Sequence, residues 1–285
     1  MVSVLLIANP ASGKYKQSKI DRILSLLKKK SDNVEVALTE YRGHAEIIAK
    51  ESAADIIIAA GGDGMINETA RGVVGTNKYF YALPLGTINV FCKEYGIGRN
   101  PYKAVEKLDF KNLKKIPVGY VGDKLFLLMA GFGFDAHVVK KVERHGVTFR
   151  PLKTAIHFMY GFPAFFSDKY NKINLYKTGK NYGFYHGVFA VAASYAGTYK
   201  LGKIDENLIN AFLVQRKGRF ALFNAFASLF FRLGFNGTHI SSNYFKVDGV
   251  GFCQLDGEYV DLDSQSNYIS FKKDAINFLS PKKIN

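Results

Sequence analysis

The sequence predicts an α/β plus β protein: an N-terminal open parallel α/β sheet followed by a C-terminal β-sandwich with helical insertions. Three observations carry this. Apolar runs that start near residues 2, 34, 55 and 79 leave room between them for crossover helices. From about Lys115 the runs become short and rich in Val, Phe, Tyr and Ile, with Gly, Asn and Lys between them, as in an antiparallel sandwich or barrel. No linker rich in Pro, Gly or Ser separates the two textures and no repeat period is visible, so two tightly packed domains with a cleft between them are expected, at residues 1–118 and 119–271.

Each element follows from its pattern. Residues 2–8 form a continuous apolar run, which suits a strand buried on both faces of a parallel sheet. Ile20, Ile23, Leu24 and Leu27 then recur at helical spacing, with Ser18 as the expected N-cap and Asp21 three residues on. Residues 34–38 read as a second strand, 45–52 as a second helix and 55–60 as a third strand. A helix from about Ile66, an apolar strand at 79–83 and a short helix near 88–95 follow. In the second lobe, strands are expected at 124–129, 172–176, 187–193, 211–214, 244–247, 251–255 and 268–271, with helical insertions at 152–166 and 220–233.

Composition narrows the function classes. Of 285 residues, 48% are apolar and 22% charged, which excludes disorder as a global description. Cys92 and Cys253 cannot build a disulfide scaffold, and no CxxC pair offers a zinc site. The six histidines show no HExxH or HxH spacing. Ser12 and Ser194 lack a nucleophile-elbow context, which leaves acyl transfer without support. Residues 1–7 are too short for a secretory leader, and the apolar stretch 220–235 is broken by Asn224 and Arg232, short of the ~20 residues of a membrane span. A soluble cytoplasmic protein is expected. The 39 Lys+Arg against 24 Asp+Glu give a formal charge of +15, which points to an anionic partner: nucleotide, nucleic acid or membrane surface. The basic residues are dispersed and no recognition motif accompanies them, so no nucleic-acid partner is expected.

Three glycine-bearing turns follow three of the first-lobe strands: Asn9-Pro10-Ala11-Ser12-Gly13, Gly61-Gly62-Asp63-Gly64 and Pro84-Leu85-Gly86-Thr87. In an open parallel sheet ligands bind beyond the carboxyl ends of the strands, where such turns cluster. Glycine lets the backbone approach a ligand, and free N–H groups at the next helix N-terminus attract phosphate. No turn is a Walker A loop or a GxGxxG fingerprint. Asp63 has two readings: a carboxylate that meets Mg²⁺ beside phosphates, or a cap of the helix that follows. In Leu255-Asp256-Gly257-Glu258-Tyr259, an extended chain would put Asp256 and Glu258 on one face, where each raises the other's pKa; Asp-Gly as a hairpin turn is the alternative. Asp205-Glu206 is a second acidic cluster, either a metal ligand pair or a solvated loop. The segment 219–235 is apolar nearly all round, suited to burial in the second lobe or to lipid, with Lys217, Arg219 and Arg232 flanking it.

Taken in order, Asn9-Pro10-Ala11-Ser12-Gly13, Gly61-Gly62-Asp63-Gly64-Met65-Ile66-Asn67-Glu68, Pro84-Leu85-Gly86-Thr87-Ile88-Asn89-Val90-Phe91 and Asp256-Gly257-Glu258 resemble the signature of the diacylglycerol kinase catalytic family. This family includes bacterial soluble lipid kinases and the sphingosine and ceramide kinases. Gly131-Phe132-Gly133-Phe134-Asp135 and residues 197–208 resemble its second-lobe segments. The resemblance implies a two-lobe fold shared with NAD kinases, with the first domain completed by the tail near 272–285. It also implies ATP with Mg²⁺ as cofactors, a lipid alcohol as acceptor, and peripheral attachment to an anionic membrane surface. Carried over by motif, Asn9, Pro10, Ala11, Ser12, Gly13 and Thr39 would contact the nucleotide. Gly61, Gly62, Asp63, Gly64, Met65, Ile66, Asn67, Glu68 and Thr87 would surround its phosphates. Glu258 would be the general base with Asp256 beside it, and Glu206, Asp205 and Asp63 the metal carboxylates. Two departures stand out: Met65 replaces the family's usual Thr, and Asn207 replaces a Gly in the acidic loop. They leave open a catalytically weak nucleotide- or lipid-binding relative, and the shared GGDG turn leaves open an NAD kinase-like enzyme.

Overall fold

The computed structural model describes residues 2–144, 171–195, 197, 199–201, 204–231, 235–264 and 266–282. Its first strand, β1 (Ser3–Ala8), is buried along all but its first residue, as the continuous apolar run requires. Helix α1 (Gln17–Lys28) buries Ile20, Ile23 and Leu27. Its N-cap is Lys16 and not Ser18: Ser18 already has helical backbone inside the first turn, where Gln17 Nε2 donates to Asp21 Oδ1 at 2.9 Å. There follow β2 (Asn33–Leu38), α2 (His44–Glu51), β3 (Ile56–Gly61), α3 (Asp63–Val73), β4 (Tyr79–Pro84), α4 (Val90–Glu94) and α5 (Pro101–Lys107). Helix α3 starts three residues ahead of Ile66, because extended Gly62 ends the strand and its carbonyl accepts from Ile66 N–H at 3.0 Å. The sequence reading missed α5, although Asn100 is its N-cap, accepting from Tyr102 and Lys103 N–H at 2.9 and 3.2 Å, with Pro101 at N1.

These elements form one unit, Met1–Pro117 with Lys273–Asn285. Strands β2–β1–β3–β4 pair in parallel in that order, and Asn277 and Phe278 of the chain's last strand join in parallel beside β4. Helix α1 packs with α5, and α2 with α3. The second pair is close enough that a Cβ on Gly72 would lie 2.4 Å from Glu46 O. Rings of Phe80, Phe91 and Phe278 meet edge to face at 5.9 Å. Because β1 lies between β2 and β3, the chain leaves β1 toward one side and later crosses to the other. That makes the carboxyl ends of β1 and β3 a topological switch point, the ligand crevice of open α/β sheets.

The second unit, Val118–Lys272, contains the rest. Its elements are β5 (Leu113–Val121, entering from the first unit), β6 (Lys124–Phe126), β7 (Met129–Phe132), α6 (Phe134–Arg144), β8 (Ile173–Lys177), β9 (Lys180–Phe184), β10 (His186–Ala190), β11 (Ser194–Tyr195), β12 (Tyr199–Lys200), β13 (Ile209–Val214), α7 (Arg219–Phe230), β14 (Thr238–Ser242), β15 (Tyr244–Asp248), β16 (Phe252–Leu255), β17 (Glu258–Asp261) and β18 (Ser266–Leu279). One antiparallel layer runs β14–β13–β10–β7–β16–β17; the other holds β9, β8, β15 and the first half of β18. Between them lies an aromatic core in which Phe189 meets Phe132, Phe184 and Phe245 at 5.4, 6.1 and 5.6 Å. The two layers form the expected sandwich. The predicted strand 124–129 is two strands, parted at Leu127 and Leu128 by a distant side chain (below). The predicted helix at 152–166 lies outside the described residues.

Candidate functional site

The three glycine turns meet at the switch point, and each hydrogen bond that joins them is visible. Asn9 Oδ1 accepts from Ala11 N–H at 2.8 Å and Asn9 O from Ser12 N–H at 3.0 Å, which folds the first turn on itself. Buried Ser12 then donates through Oγ to Leu85 O at 3.2 Å, tying the first turn to the third. Leu85 N–H donates to Gly61 O at 2.9 Å, tying the third to the second. A Cβ on Gly86 would lie 2.5 Å from Gly62 Cα and 2.7 Å from Asn89 Oδ1, so glycine is what lets these two backbones touch. Asn89 closes the third turn: its Oδ1 accepts from Gly86 N–H at 2.8 Å, its Nδ2 donates to Gly86 O at 3.0 Å, and its own φ is 53°. Thr39 is buried at the end of β2, where its N–H donates to Ala8 O at 2.9 Å.

This wiring predicts that Gly86→Ala lowers the unfolding free energy by about 1–3 kcal/mol, since the nearest neighbour, Gly62 Cα, is backbone and cannot swing away. A denaturant titration checks it; a loss below about 0.5 kcal/mol would show that the turns part easily.

Asp63 is a cap, but of another helix than expected. Its Oδ1 accepts from Phe91 N–H at 3.1 Å, at the second residue of α4, while α3 has no side-chain cap of its own. Pro10, Ala11, Gly13 and Thr87 remain exposed, so the rim of the turns faces solvent. Met65 and Ile66 are buried in the core of the unit; a Cβ on Gly61 would lie 2.4 Å from Met65 Sδ, so Met65 fills the space under that glycine. Any contact of Met65 with a ligand would be through its backbone, while Ile66 N–H is already taken by Gly62 O. Asn67 is buried, accepts from Arg71 Nη1 at 2.7 Å, and is linked through Arg71 to Glu46 at 2.6 Å; Glu68 is half-buried. Exposed Lys14 and Lys16 follow the first turn, and Lys93 and exposed Arg99 follow the third. Burial and then the Arg99 charge push the Lys93 pKa down, and Asp63 opposes them. The sequence reading missed Lys93 and Arg99. Their signal was a pair of cations within a dozen residues of the third turn.

In the second unit the Asp256-Glu258 segment is a hairpin, not an extended strand. Leu255 pairs with Glu258, and the two turn residues Asp256 and Gly257 have φ of 49° and 88°, which a type I′ turn requires. The expectation that both carboxylates share a strand face is therefore corrected. Asp256 instead accepts from the N–H groups of Leu127, Leu128 and Met129 at 2.6, 2.9 and 3.0 Å, and its own N–H donates to Met129 O at 3.0 Å. Those bonds are what separates β6 from β7. Gln254, buried on β16, accepts through Oε1 from Gly257 N–H at 2.7 Å. Half-buried Glu258 thus stands at the first position of β17, on a turn fixed from two sides.

The Gly131-Phe132-Gly133-Phe134-Asp135 segment places a buried polar cluster on the same sheet. Gly133 has φ 78°, and a Cβ there would lie 2.1 Å from Tyr185 O. Asp135 accepts from Tyr195 OH at 2.9 Å, and His186 Nδ1 lies 3.1 Å from Phe132 O. Burial pushes the Asp135 carboxyl pKa up and the His186 pKa down, favouring the neutral form of both.

The predicted metal carboxylates Asp205 and Glu206 lie on a loop that is held by its own hydrogen bonds. Asp205 Oδ1 accepts from Asn207 N–H at 2.9 Å, and Glu206 is exposed. The loop is held by buried Asn210, whose Nδ2 donates to Asp205 O and Leu208 O at 2.8 and 3.0 Å and whose Oδ1 accepts from Asp205 N–H at 2.9 Å. Asn207 stands without a positive φ, so this loop has no need of the family's glycine. Among the described residues no group of three or more His, Cys, Asp or Glu could hold a metal ion.

The resemblance read from the motifs is borne out. Residues 3–121 match the family model described as the diacylglycerol kinase catalytic domain. The diacylglycerol kinase of Bacillus subtilis is 33% identical over 135 residues, 45% of this chain and 45% of that protein. A protein named probable lipid kinase YegS-like, from Pseudomonas putida, is 36% identical over 110 residues, 37% of each chain. The matched stretches thus span less than half the length of these curated relatives. A crystal structure of a diacylglycerol kinase from Bacillus anthracis str. Sterne aligns over 98% of this chain and 96% of that one, with a TM-score of 0.74 at 17% identity, which establishes a shared fold.

Proposed function

We propose that this chain, whose residues 3–121 carry the diacylglycerol kinase catalytic-domain pattern, is an ATP-dependent lipid kinase that passes the γ-phosphoryl group to the hydroxyl of a diacylglycerol-like lipid. The observation that supports it most is the joining of three glycine turns at the switch point of the first unit. Backbone N–H groups, the first turn of α3 and the cations Lys14, Lys16, Lys93 and Arg99 make that region a receptor for polyphosphate. Phosphoryl transfer asks mainly for positioning and charge neutralisation. Mg²⁺, when bound with the nucleotide, neutralises phosphate charge, and Asp63 is the carboxylate proposed to meet it. Glu258 takes the proton of the acceptor hydroxyl as its oxygen bonds to the γ-phosphorus and ADP leaves. Its half-buried position on a fixed turn suits an aimed base.

Incubation of the purified chain with labelled ATP, Mg²⁺ and detergent-dispersed lipid alcohols, with NAD as a parallel acceptor, is expected to label a diacylglycerol-like lipid. Label in NAD alone would turn the reading to an NAD kinase-like enzyme. ATP affinity with no labelled product would turn it to a binding relative, for which Met65 and Asn207 gave the motive.

A further inference from the structure

Helix α7 carries features that the phosphoryl-transfer chemistry does not use. Phe220, Phe223 and Phe231 are 70%, 50% and 69% exposed. With Ala227 they recur at spacings of three, four and four residues, the interval that keeps side chains on one helix face. Phe231 belongs to that face because its N–H donates to Ala227 O at 2.9 Å, prolonging the helical bonding past Phe230. Ala225, on the opposite side, is fully buried against the unit. The helix is therefore seated by one face and presents phenylalanine on the other.

Charge runs the same way. From Ile209 to Val247 the sequence holds no aspartate or glutamate, but has Arg216, Lys217, Arg219, Arg232 and Lys246. Arg216 and Lys217 are exposed just ahead of the α7 N-terminus. Cations there oppose the helix macrodipole, so they cost the helix stability and have their use with an anion outside it. An exposed apolar stripe with basic residues at its end is the make-up of a helix that lies in a lipid interface. Twelve residues are too few to cross a bilayer, and no described helix is long and apolar enough to do so.

We propose that α7 docks the second unit onto an anionic bilayer. Phe220, Phe223 and Phe231 enter the boundary between headgroups and acyl chains, and Arg216 and Lys217 meet anionic headgroups. This rests on the lipid-kinase reading, since the acceptor must be met where lipids are.

The chain contains no tryptophan, so Phe223→Trp is a single fluorescent reporter at the centre of the face. Its emission is expected to shift to the blue, and to be quenched by brominated lipid, when phosphatidylglycerol-containing vesicles are added. Pure phosphatidylcholine vesicles should do far less. Tyr41→Trp, exposed in the first unit, should not shift. Added to the reporter, Phe220→Ser with Phe231→Ser should lower vesicle affinity at least about tenfold, and Arg216→Glu with Lys217→Glu about as much. An unshifted reporter on protein that floats with the vesicles would assign docking to another face. A blue shift that grows with protein concentration without lipid would assign the stripe to a second copy of the chain. Absence of flotation would end the docking reading altogether. Transfer to detergent-dispersed lipid is read separately, so docking can fail while the kinase reading stands, and the converse.

Discussion

Glu258→Gln is expected to slow phosphoryl transfer by about 10²- to 10⁴-fold, the range for losing a positioned general base, with nucleotide affinity changed less than about twofold. Glutamine keeps the shape of the side chain and its hydrogen-bonding oxygen, but it cannot take a proton at neutral pH. The backbone that presents residue 258 is held by Leu255, Gln254 and Asp256, none of which the substitution alters. Every residue proposed to hold nucleotide belongs to the first unit, so its turns should bind ATP as before. Single-turnover transfer of labelled phosphate measures the first quantity and calorimetric titration with a non-hydrolysable ATP analogue the second. A variant that turns over at the wild-type rate would remove Glu258 from the reaction. A variant that loses ATP would make it a structural residue.

Where residues were readable from sequence, the cause was local. Residues 2–8 and 55–60 gave β1 and β3 because a strand covered on both faces must be apolar throughout. The three glycine turns were legible because a turn that meets another backbone needs glycine, and Gly86 against Gly62 is such a place. Asn100-Pro101 was just as local a signal, an N-cap followed by proline at the first helical position, and it passed unread. The rest depends on partners far along the chain. Residues 124–129 look like one strand until the carboxylate of Asp256, more than 120 residues later, takes the N–H groups of 127–129. Of the two readings of Asp63, the cap pointed to its own helix, because the sequence does not say that α4 begins beside it. The strand order β2–β1–β3–β4, which makes the turns converge, is likewise a property of pairing and not of any one segment. For 219–235 the sequence left burial and lipid contact open, and the structure leaves Phe220, Phe223 and Phe231 exposed.

Asp256→Ala is expected to lower the unfolding free energy by about 3–5 kcal/mol, more than any other substitution considered. Hydrogen bonds to a charged group contribute about 1.5–3 kcal/mol each, and Asp256 accepts three. The site is only half-buried, so water recovers part of the loss and the sum is not reached. A further contribution of roughly 1 kcal/mol comes from placing alanine at a left-handed φ, which Asp and Asn tolerate better. Asp256→Asn separates these effects: it keeps the φ tolerance and one oxygen acceptor but brings an amide to donors that need none, so about half the loss is expected. Urea unfolding of both variants gives the numbers. In the asparagine variant at a temperature where it is fully folded, kcat should fall and the Km for ATP stay unchanged, because what moves is the turn that aims Glu258 and not the nucleotide turns. If Asp256→Ala cost less than about 1 kcal/mol and transfer were still abolished, Asp256 would be a participant in proton transfer beside Glu258. The three backbone bonds to its carboxylate argue for the other outcome, in which its charge is spent on holding the turn.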